Sequence, residues 1–181
     1  MNLDETTKWN AFEHKGQTYD LSHLDAHKVT YTHSAPGKED IRYDFWVTYS
    51  FHCFAKHYPD KCQNEQKSLM YSAPKEERPF CFDRYHLSKN YLKQIICNLG
   101  TPQIRVTHAG YSAYAAHEVV NSDGSTFWYF VPFRVYKYQK KFRIHVTSAY
   151  PLHVEPGGGK VGFFTIAHCL KTGKKLPEPH K

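Results

Sequence analysis

The sequence predicts an α+β fold, in which an antiparallel β-sheet of about five strands carries one principal helix on one face. Several segments alternate apolar and polar residues, as half-buried strands do. One segment instead repeats its apolar residues every three or four positions, which indicates a helix. Hydrophobic residues form 40% and aromatic residues 16% of the 181-residue chain, which is enough for a packed core.

The first half, residues 1–84, is predicted to be an aromatic-rich β region with a long loop. Residues 27–33 alternate in polarity, and residues 42–54 are rich in aromatic and β-branched side chains, so both segments are predicted strands. The turn signal Ala-Pro-Gly-Lys at 35–38 separates them and favours an antiparallel pair. Residues 55–79 are polar, contain three prolines and are predicted to be a long loop.

Alternation along the second of these strands assigns its side chains to two faces of the sheet. One set is predicted to face the core: Phe45, Val47, Tyr49, Phe51 and Cys53. The other set shares the opposite face: Trp46, Thr48, Ser50, His52 and Phe54. Cys53 and His52 therefore point to opposite sides and cannot form a nucleophile–base pair on a regular strand.

The second half, residues 85–181, is predicted to add a helix and antiparallel strands, in the same compact domain or in a closely packed subdomain. Residues 85–99 form the predicted helix, with Ser88 as a possible N-cap and Gly100 at its end. Residues 111–118 are ambiguous between helix and loop. Four further segments are predicted strands: 103–108, 126–138, 141–150 and 161–170. Pro132 predicts a bulge or bend in the longest of them.

The charge and the cysteines of the chain indicate its partners and its compartment. The formal charge of +7 favours polyanionic partners, nucleic acid first, although a basic protein need not have such a partner. The five cysteines form no tight framework, and no apolar run reaches the roughly 18 residues that a membrane helix needs. We therefore expect a reduced, cytoplasmic protein with no membrane partner.

The predicted hairpin of residues 127–138 and 141–150 contains the candidate site. Its apolar residues should face the core, and directly opposed residues share a face. Pairing Val135 with Ile144 then places Arg134 opposite His145 and Tyr136 opposite Arg143. The face away from the core is thus predicted to present one cluster: Arg134, Tyr136, Arg143, His145 and Thr147.

Such a cluster suits the handling of phosphate, or else it is merely a solvated sheet face. Cleavage of RNA by its own 2′-hydroxyl needs a base, an acid and cations, and no metal. His145 could be the base or the acid, and Arg134 and Arg143 could stabilise the developing charge. A second proton-transfer group could come from His52 or His168. Tyr136 and Thr147 would contact the substrate.

The run at 143–151, Arg-Ile-His-Val-Thr-Ser-Ala-Tyr-Pro, follows the strand Phe-Val-Pro-Phe-Arg at 130–134. Together they resemble the final strands of bacterial toxin-type ribonucleases of the barnase, colicin and RelE-like class. The resemblance covers residues 85–170 and extends to small prophage or mobile-element proteins. It implies a helix-backed antiparallel sheet that presents side chains to RNA. The residues that it implies are Arg143, His145, Ser148 and Tyr150.

A zinc site is the metal alternative. Five possible ligands fall within thirty-four residues: Cys53, His57, Cys62, Cys81 and His86. Zinc favours four such ligands, but structural sites usually use tight Cys-x2–4-Cys knuckles, which this sequence lacks.

The leading hypothesis is a nucleic-acid-directed protein, most concretely a metal-independent endoribonuclease of toxin type, a hydrolase that needs no cofactor. A protein partner such as an antitoxin would fit that class. The alternative is a non-catalytic phage or mobile-element protein that inhibits or recruits a host protein. A third hypothesis is a zinc-stabilised accessory protein.

Overall fold

The computed structural model describes residues 6–58, 66–74, 76–109, 112–120 and 126–178. In chain order, its strands are β1 (Phe12–His14), β2 (Gln17–Tyr19), β3 (His27–His33), β4 (Ile41–Tyr49), β5 (Met70–Ser72), β6 (Glu77–Pro79), β7 (Arg105–Ala109), β8 (Ser112–Val120), β9 (Thr126–Tyr138), β10 (Lys141–Val146) and β11 (Tyr150–Leu152). Its helices are α1, made of the consecutive segments Phe82–Leu87, Ser88–Leu92 and Lys93–Cys97, and α2 (Phe163–Thr172). The fold is α+β, as predicted, and α1 is its main helix of 16 residues.

The central sheet has the strand order β3-β4-β10-β9-β8-β7, with β11 also paired to β9. Its pairs are antiparallel except one, because β10 runs parallel to β4. The sheet is therefore mostly antiparallel, as predicted, with one parallel pair that the sequence did not predict. Parallel neighbours need a long crossover connection. Here the crossover contains α1 and strands β7 to β9.

Both helices pack on the same face of the sheet. The ring of Phe163 on α2 lies 4.5 Å from that of Tyr31 on β3, between ring centroids. The Tyr31 hydroxyl donates a hydrogen bond to the carbonyl of Ile96 on α1 at 2.5 Å. One apolar core beneath the helices contains residues of both halves of the chain, from Trp9 to Ala167.

The helix α1 begins at Phe82, three residues earlier than predicted, and Ser88 lies inside it. Ser88 is therefore not an N-cap. It is fully buried at the start of a π-helical turn, where its hydroxyl donates to the Tyr85 carbonyl at 2.9 Å.

Residues 161–170, predicted as the last strand, instead belong mostly to helix α2. Phe163, Ile166 and Ala167 are buried, and their spacing of three and four residues is helical. Gly173 ends the helix in the left-handed conformation, with φ of 69°. The short apolar run fits both the strand period of two residues and the helical period of 3.6 residues. The helix is favoured because it buries Phe163 against Tyr31 and Phe45.

Three other predictions of secondary structure need correction. The predicted strand 42–54 ends at Tyr49, because Ser50 accepts a hydrogen bond from the backbone N–H of His52 and begins a 3-10 turn. The predicted loop 55–79 contains the paired strands β5 and β6. The ambiguous segment 111–118 lies largely in strand β8, which pairs with both β7 and β9.

The described helices include none that is both long and apolar enough to cross a membrane.

Candidate nucleic-acid interface

The predicted register of the β9–β10 hairpin is confirmed. Ile144 pairs with Val135, His145 with Arg134, and Arg143 with Tyr136. Ile144 is fully buried and Val135 is 9% exposed, so the apolar residues do face the core. Arg134, Tyr136, Arg143 and His145 therefore lie together on the opposite face, as the alternation requires.

Strand β9 keeps one register with β8 through Pro132, so the bulge predicted at Pro132 lies instead in the strand opposite it. The register of β11 on β9 is shifted by one residue relative to that of β10, which places a bulge between Val146 and Tyr150. Thr147 spans this point, and its backbone N–H and its hydroxyl both donate to the carbonyl of Pro132, at 2.9 and 3.1 Å. Thr147 is thus held by backbone contacts at the end of the cluster.

A row of alternating cations and aromatic rings crosses four neighbouring strands on the face opposite the helices. In strand order, this cation–aromatic row is Lys28, Trp46, Arg143 and Tyr136. The guanidinium carbon of Arg143 lies 6.0 Å from the ring centroid of Trp46 and 5.9 Å from that of Tyr138. These distances are those of cation–π contacts, so Arg143 and its neighbouring rings hold each other in place.

A second row lies next to the first and contains the histidine. In strand order, this histidine row is Thr48, His145 and Arg134. The hydroxyl of Thr48 and Nδ1 of His145 are hydrogen-bonded at 3.0 Å. Thr48 is fully buried and His145 is only 8% exposed. Burial, helped by the charge of Arg134, lowers the pKa of His145 to about 4, so its imidazole is neutral at pH 7.

A carboxylate, that of Asp44, lies at the Lys28 end of the cation–aromatic row. Asp44 accepts a hydrogen bond from the Thr30 hydroxyl at 2.5 Å and forms an ion pair with Lys28 at 3.0 Å. The bond from Thr30, with that from Lys28, lowers the pKa of this exposed carboxyl. The face therefore combines cations with one ionised acid.

Strands β4 and β10 are parallel, so their carboxyl ends lie at the same edge of the sheet. Three predicted site residues follow these ends: His52 after β4, and Ser148 and Tyr150 after β10. Arg84 of α1 links His52 and Tyr150: its Nη1 donates to the His52 carbonyl at 2.8 Å, and its guanidinium carbon lies 5.4 Å from the Tyr150 ring centroid. The His52 ring lies 3.8 Å from a carboxylate oxygen of Glu76.

His168 is not on a strand of the sheet. It is an exposed residue of helix α2, which packs on the face opposite the histidine row. The structure thus does not bring His168 together with His145, because the segment that carries it forms a helix.

The described members of the predicted zinc set do not come together. Among the residues that the structure describes, no group of three or more His, Cys, Asp or Glu side chains is placed to hold a metal ion. Cys53 is fully buried, and burial raises the pKa of its thiol to about 12. Cys62 lies outside the described residues.

Sequence reasoning missed Lys28, Trp46 and Thr48 as members of the site. The alternation of β4 already assigned Trp46 and Thr48 to the polar face. They lie beside Arg143 and His145 because β4 pairs in parallel with β10. No local sequence pattern predicts the pairing of two such distant strands.

Comparison with known proteins identifies the family. A model described as the YjaZ family matches residues 11–171, which include both rows. This chain belongs to the YjaZ family. Protein YjaZ of Escherichia coli (strain K12) is 49% identical to it over 178 residues, or 98% of each protein. No solved structure matches the chain significantly. The family description names no activity, so the resemblance to toxin-type ribonucleases stays a prediction.

Proposed function

We propose that this protein binds single-stranded RNA across the face of the sheet that carries the cation–aromatic row. The observation that supports the proposal is the row itself, in which Lys28, Trp46, Arg143 and Tyr136 lie side by side on four strands. Proteins that bind single strands combine cations for the phosphates with aromatic rings on which bases stack. The formal charge of +7 favours the same partner.

Unpaired bases suit this face better than a duplex does. Trp46 and Tyr136 are partly exposed, and Tyr138 extends the same face of β9 with a ring that is 52% exposed. Aromatic rings stack on bases only where the bases are splayed out, as they are in loops, bulges and chain ends of RNA. The proposed ligand is therefore a single-stranded segment that lies across the strands.

The test is equilibrium binding of a labelled, single-stranded RNA oligonucleotide, followed by fluorescence anisotropy at several salt concentrations. Arg143→Gln should weaken binding about tenfold and reduce the slope of log affinity against log salt by about one phosphate contact. The matched control is Lys93→Gln, because Lys93 is an exposed cation of α1 on the other side of the sheet. It should change neither quantity.

Two results would count against the proposal. Wild-type protein that binds no single-stranded RNA even at low salt would remove it. Equal losses in Arg143→Gln and Lys93→Gln would show that binding follows net charge and not the row.

Metal-independent RNA cleavage is a second candidate function, and the pairing of His145 with Arg134 favours it. Nδ1 of His145 is bonded to Thr48, which leaves Nε2 for proton transfer. A neutral imidazole can accept the 2′-hydroxyl proton while that oxygen bonds to phosphorus, and the neighbouring Arg134 can stabilise the negative charge that develops on the phosphorus oxygens. The bond to the 5′ oxygen then breaks, and this leaving oxygen takes its proton from solvent. The lowered pKa makes His145 a base and not an acid at pH 7.

Cleavage is tested by incubating folded RNA with the protein in the presence of a metal chelator. His145→Asn should slow cleavage by about a hundredfold, the usual contribution of a general base. Its RNA affinity should stay near that of wild type, since the His145 side chain is mostly buried. RNA that stays intact with the wild-type protein would remove this candidate and leave the binding proposal standing.

An RNA-binding role places the protein in the cytoplasm, and this location is part of the proposal. Four cysteines in the described part of the chain are free thiols, and two of them, Cys53 and Cys81, are buried. Unpaired thiols are typical of proteins in a reducing compartment.

A further inference from the structure

The turn that joins β9 to β10 borders a cleft at one end of the cation–aromatic row. The cleft has a volume of about 490 Å³. Pockets for small ligands span roughly 300–1,000 Å³, so one nucleotide fits. Its lining consists of Lys28, Asp44, Phe45, Trp46, Lys140, Lys141 and Phe142.

The charge of the lining suits a dianion. Three lysines and one aspartate line the cleft, and 3 − 1 leaves a net charge of +2. Asp44 already forms an ion pair with Lys28, so the excess positive charge belongs to Lys140 and Lys141. A phosphodiester carries one negative charge, whereas a phosphate monoester carries about −1.5 to −2 at pH 7. The cleft therefore matches a terminal phosphate better than an internal one.

The turn itself has a backbone that its residues do not favour. Gln139 and Lys140 form the two-residue connection, and both have left-handed conformations, with φ of 46° and 62°. Asn-Gly usually occupies such turns, because most other side chains are strained in this conformation. Strained residues of this kind are concentrated at binding sites. Lys140 places an ammonium group at the cleft, whereas a glycine at this position would supply no charge.

The ring of Trp46 supplies the second half of the site. Trp46 is partly exposed and lines the cleft, and it lies between Lys28 and Arg143 in the register of three strands. A base stacked on this ring would be adjacent to the cations of the turn, where its own phosphate would be bound.

We propose that this cleft binds the phosphorylated end of an RNA chain, with the terminal base on Trp46 and the phosphate monoester on Lys140 and Lys141. The inference rests on the proposed RNA binding and adds to it a preference for one kind of chain end. The shared chemistry is a terminal phosphate monoester, which can be at the 5′ or at the 3′ end.

The experiment is a competition assay with the full chain. A labelled single-stranded RNA is displaced by unlabelled oligonucleotides of one sequence that carry a 5′-phosphate, a 3′-phosphate or hydroxyls at both ends. One phosphorylated form should compete about tenfold better than the hydroxyl form, the effect of one additional charge-assisted hydrogen bond. The phosphorylated oligonucleotide that competes better than the hydroxyl form shows which end of the RNA is bound.

The variants Lys140→Ala and Lys141→Ala should each reduce this preference, and together they should abolish it. The matched control is Lys15→Ala, because Lys15 is also an exposed lysine with a left-handed backbone, at φ of 49°, in the separate β1–β2 hairpin. It should leave the preference unchanged.

Failure of this inference is distinguishable from failure of the proposed function. Equal competition by the three oligonucleotides, or a preference that survives in the double lysine variant, overturns the inference while RNA binding stands. If the labelled RNA does not bind at all, the proposed function fails and the inference fails with it.

Discussion

Among the residues that the structure describes, two histidine–hydroxyl pairs are almost identical in their hydrogen bonds, one with a buried histidine and one with a half-buried histidine. His145 and Thr48 are 3.0 Å apart, and Nε2 of His23 and the hydroxyl of Ser88 are 2.9 Å apart. Burial, together with a neighbouring cation, lowers the pKa of each histidine to about 4. Neither the hydrogen bond nor the pKa therefore tells the two pairs apart.

The surroundings of the two pairs differ. His145 lies on the polar face of the sheet, in register with Arg134 and next to the row that contains Arg143. His23 belongs to the 3-10 turn Ser22–Leu24 and contacts Ser88 of α1, which already donates to the Tyr85 carbonyl. The hydroxyl proton of Ser88 is thus used, so His23 acts as the donor and the pair links two elements of the fold. The two pairs therefore differ in the groups around them and not in their hydrogen bond or histidine pKa.

The largest expected effect concerns stability at acid pH. Both histidines have pKa values that are lowered from 6.5 to about 4, so the unfolded state binds more protons between these values. Stability is complete above about pH 6.5 and falls as the pH decreases toward 4. His145 should contribute a loss of about 3 kcal/mol. The loss from His23 should be smaller because its ring is more solvated.

The measurement is the free energy of urea unfolding at several pH values. His145→Gln and His23→Gln should each reduce the loss of unfolding free energy at acid pH by the amount that the replaced histidine contributes. Nearby charges also act on His23, since Lys89 lowers its pKa while Asp20 and Asp25 raise it. A curve for His145→Gln that runs parallel to that of wild type would contradict the burial of its ring.

The next effect separates the two pairs by their proposed roles. Ser88→Ala should lower the free energy of unfolding by about 1–3 kcal/mol, because it leaves the half-buried His23 N–H without its acceptor. RNA cleavage should not change. Thr48→Val should destabilise by a similar amount and also slow the proposed RNA cleavage, because His145 loses the group that orients it. Unfolding and RNA cleavage assays of both variants test this, and equal cleavage rates in the two would contradict the difference drawn between the pairs.

The smallest effect is electrostatic. Arg134→Gln should raise the pKa of His145 by a fraction of a pH unit, and Lys89→Gln should do the same for His23. Each change should leave the other histidine unaffected, since the pairs have separate cationic neighbours. Titration of the imidazole protons by nuclear magnetic resonance measures both values. A shift at both histidines from one substitution would contradict the assignment of one cation to each.

Local patterns predicted a large part of the fold and of the site. Strand β3 spans the predicted residues 27–33, and the core face of β9 and β10 follows their alternation. Parity alone paired Arg134 with His145, because opposed residues of a hairpin share a face. The prediction of a strand at 161–170 is wrong, because Phe163, Ile166 and Ala167 have helical spacing and lie in helix α2.

The sequence by itself determined which residues share a face, because alternation and turn length act between close neighbours in the chain. Tertiary structure alone decided that β10 lies between β9 and β4 and runs parallel to the latter. That choice depends on burying the apolar faces of distant segments together, and no short window contains it. It placed Trp46 beside Arg143 and Thr48 beside His145, and it separated a histidine on the polar face from one that joins two elements of the fold.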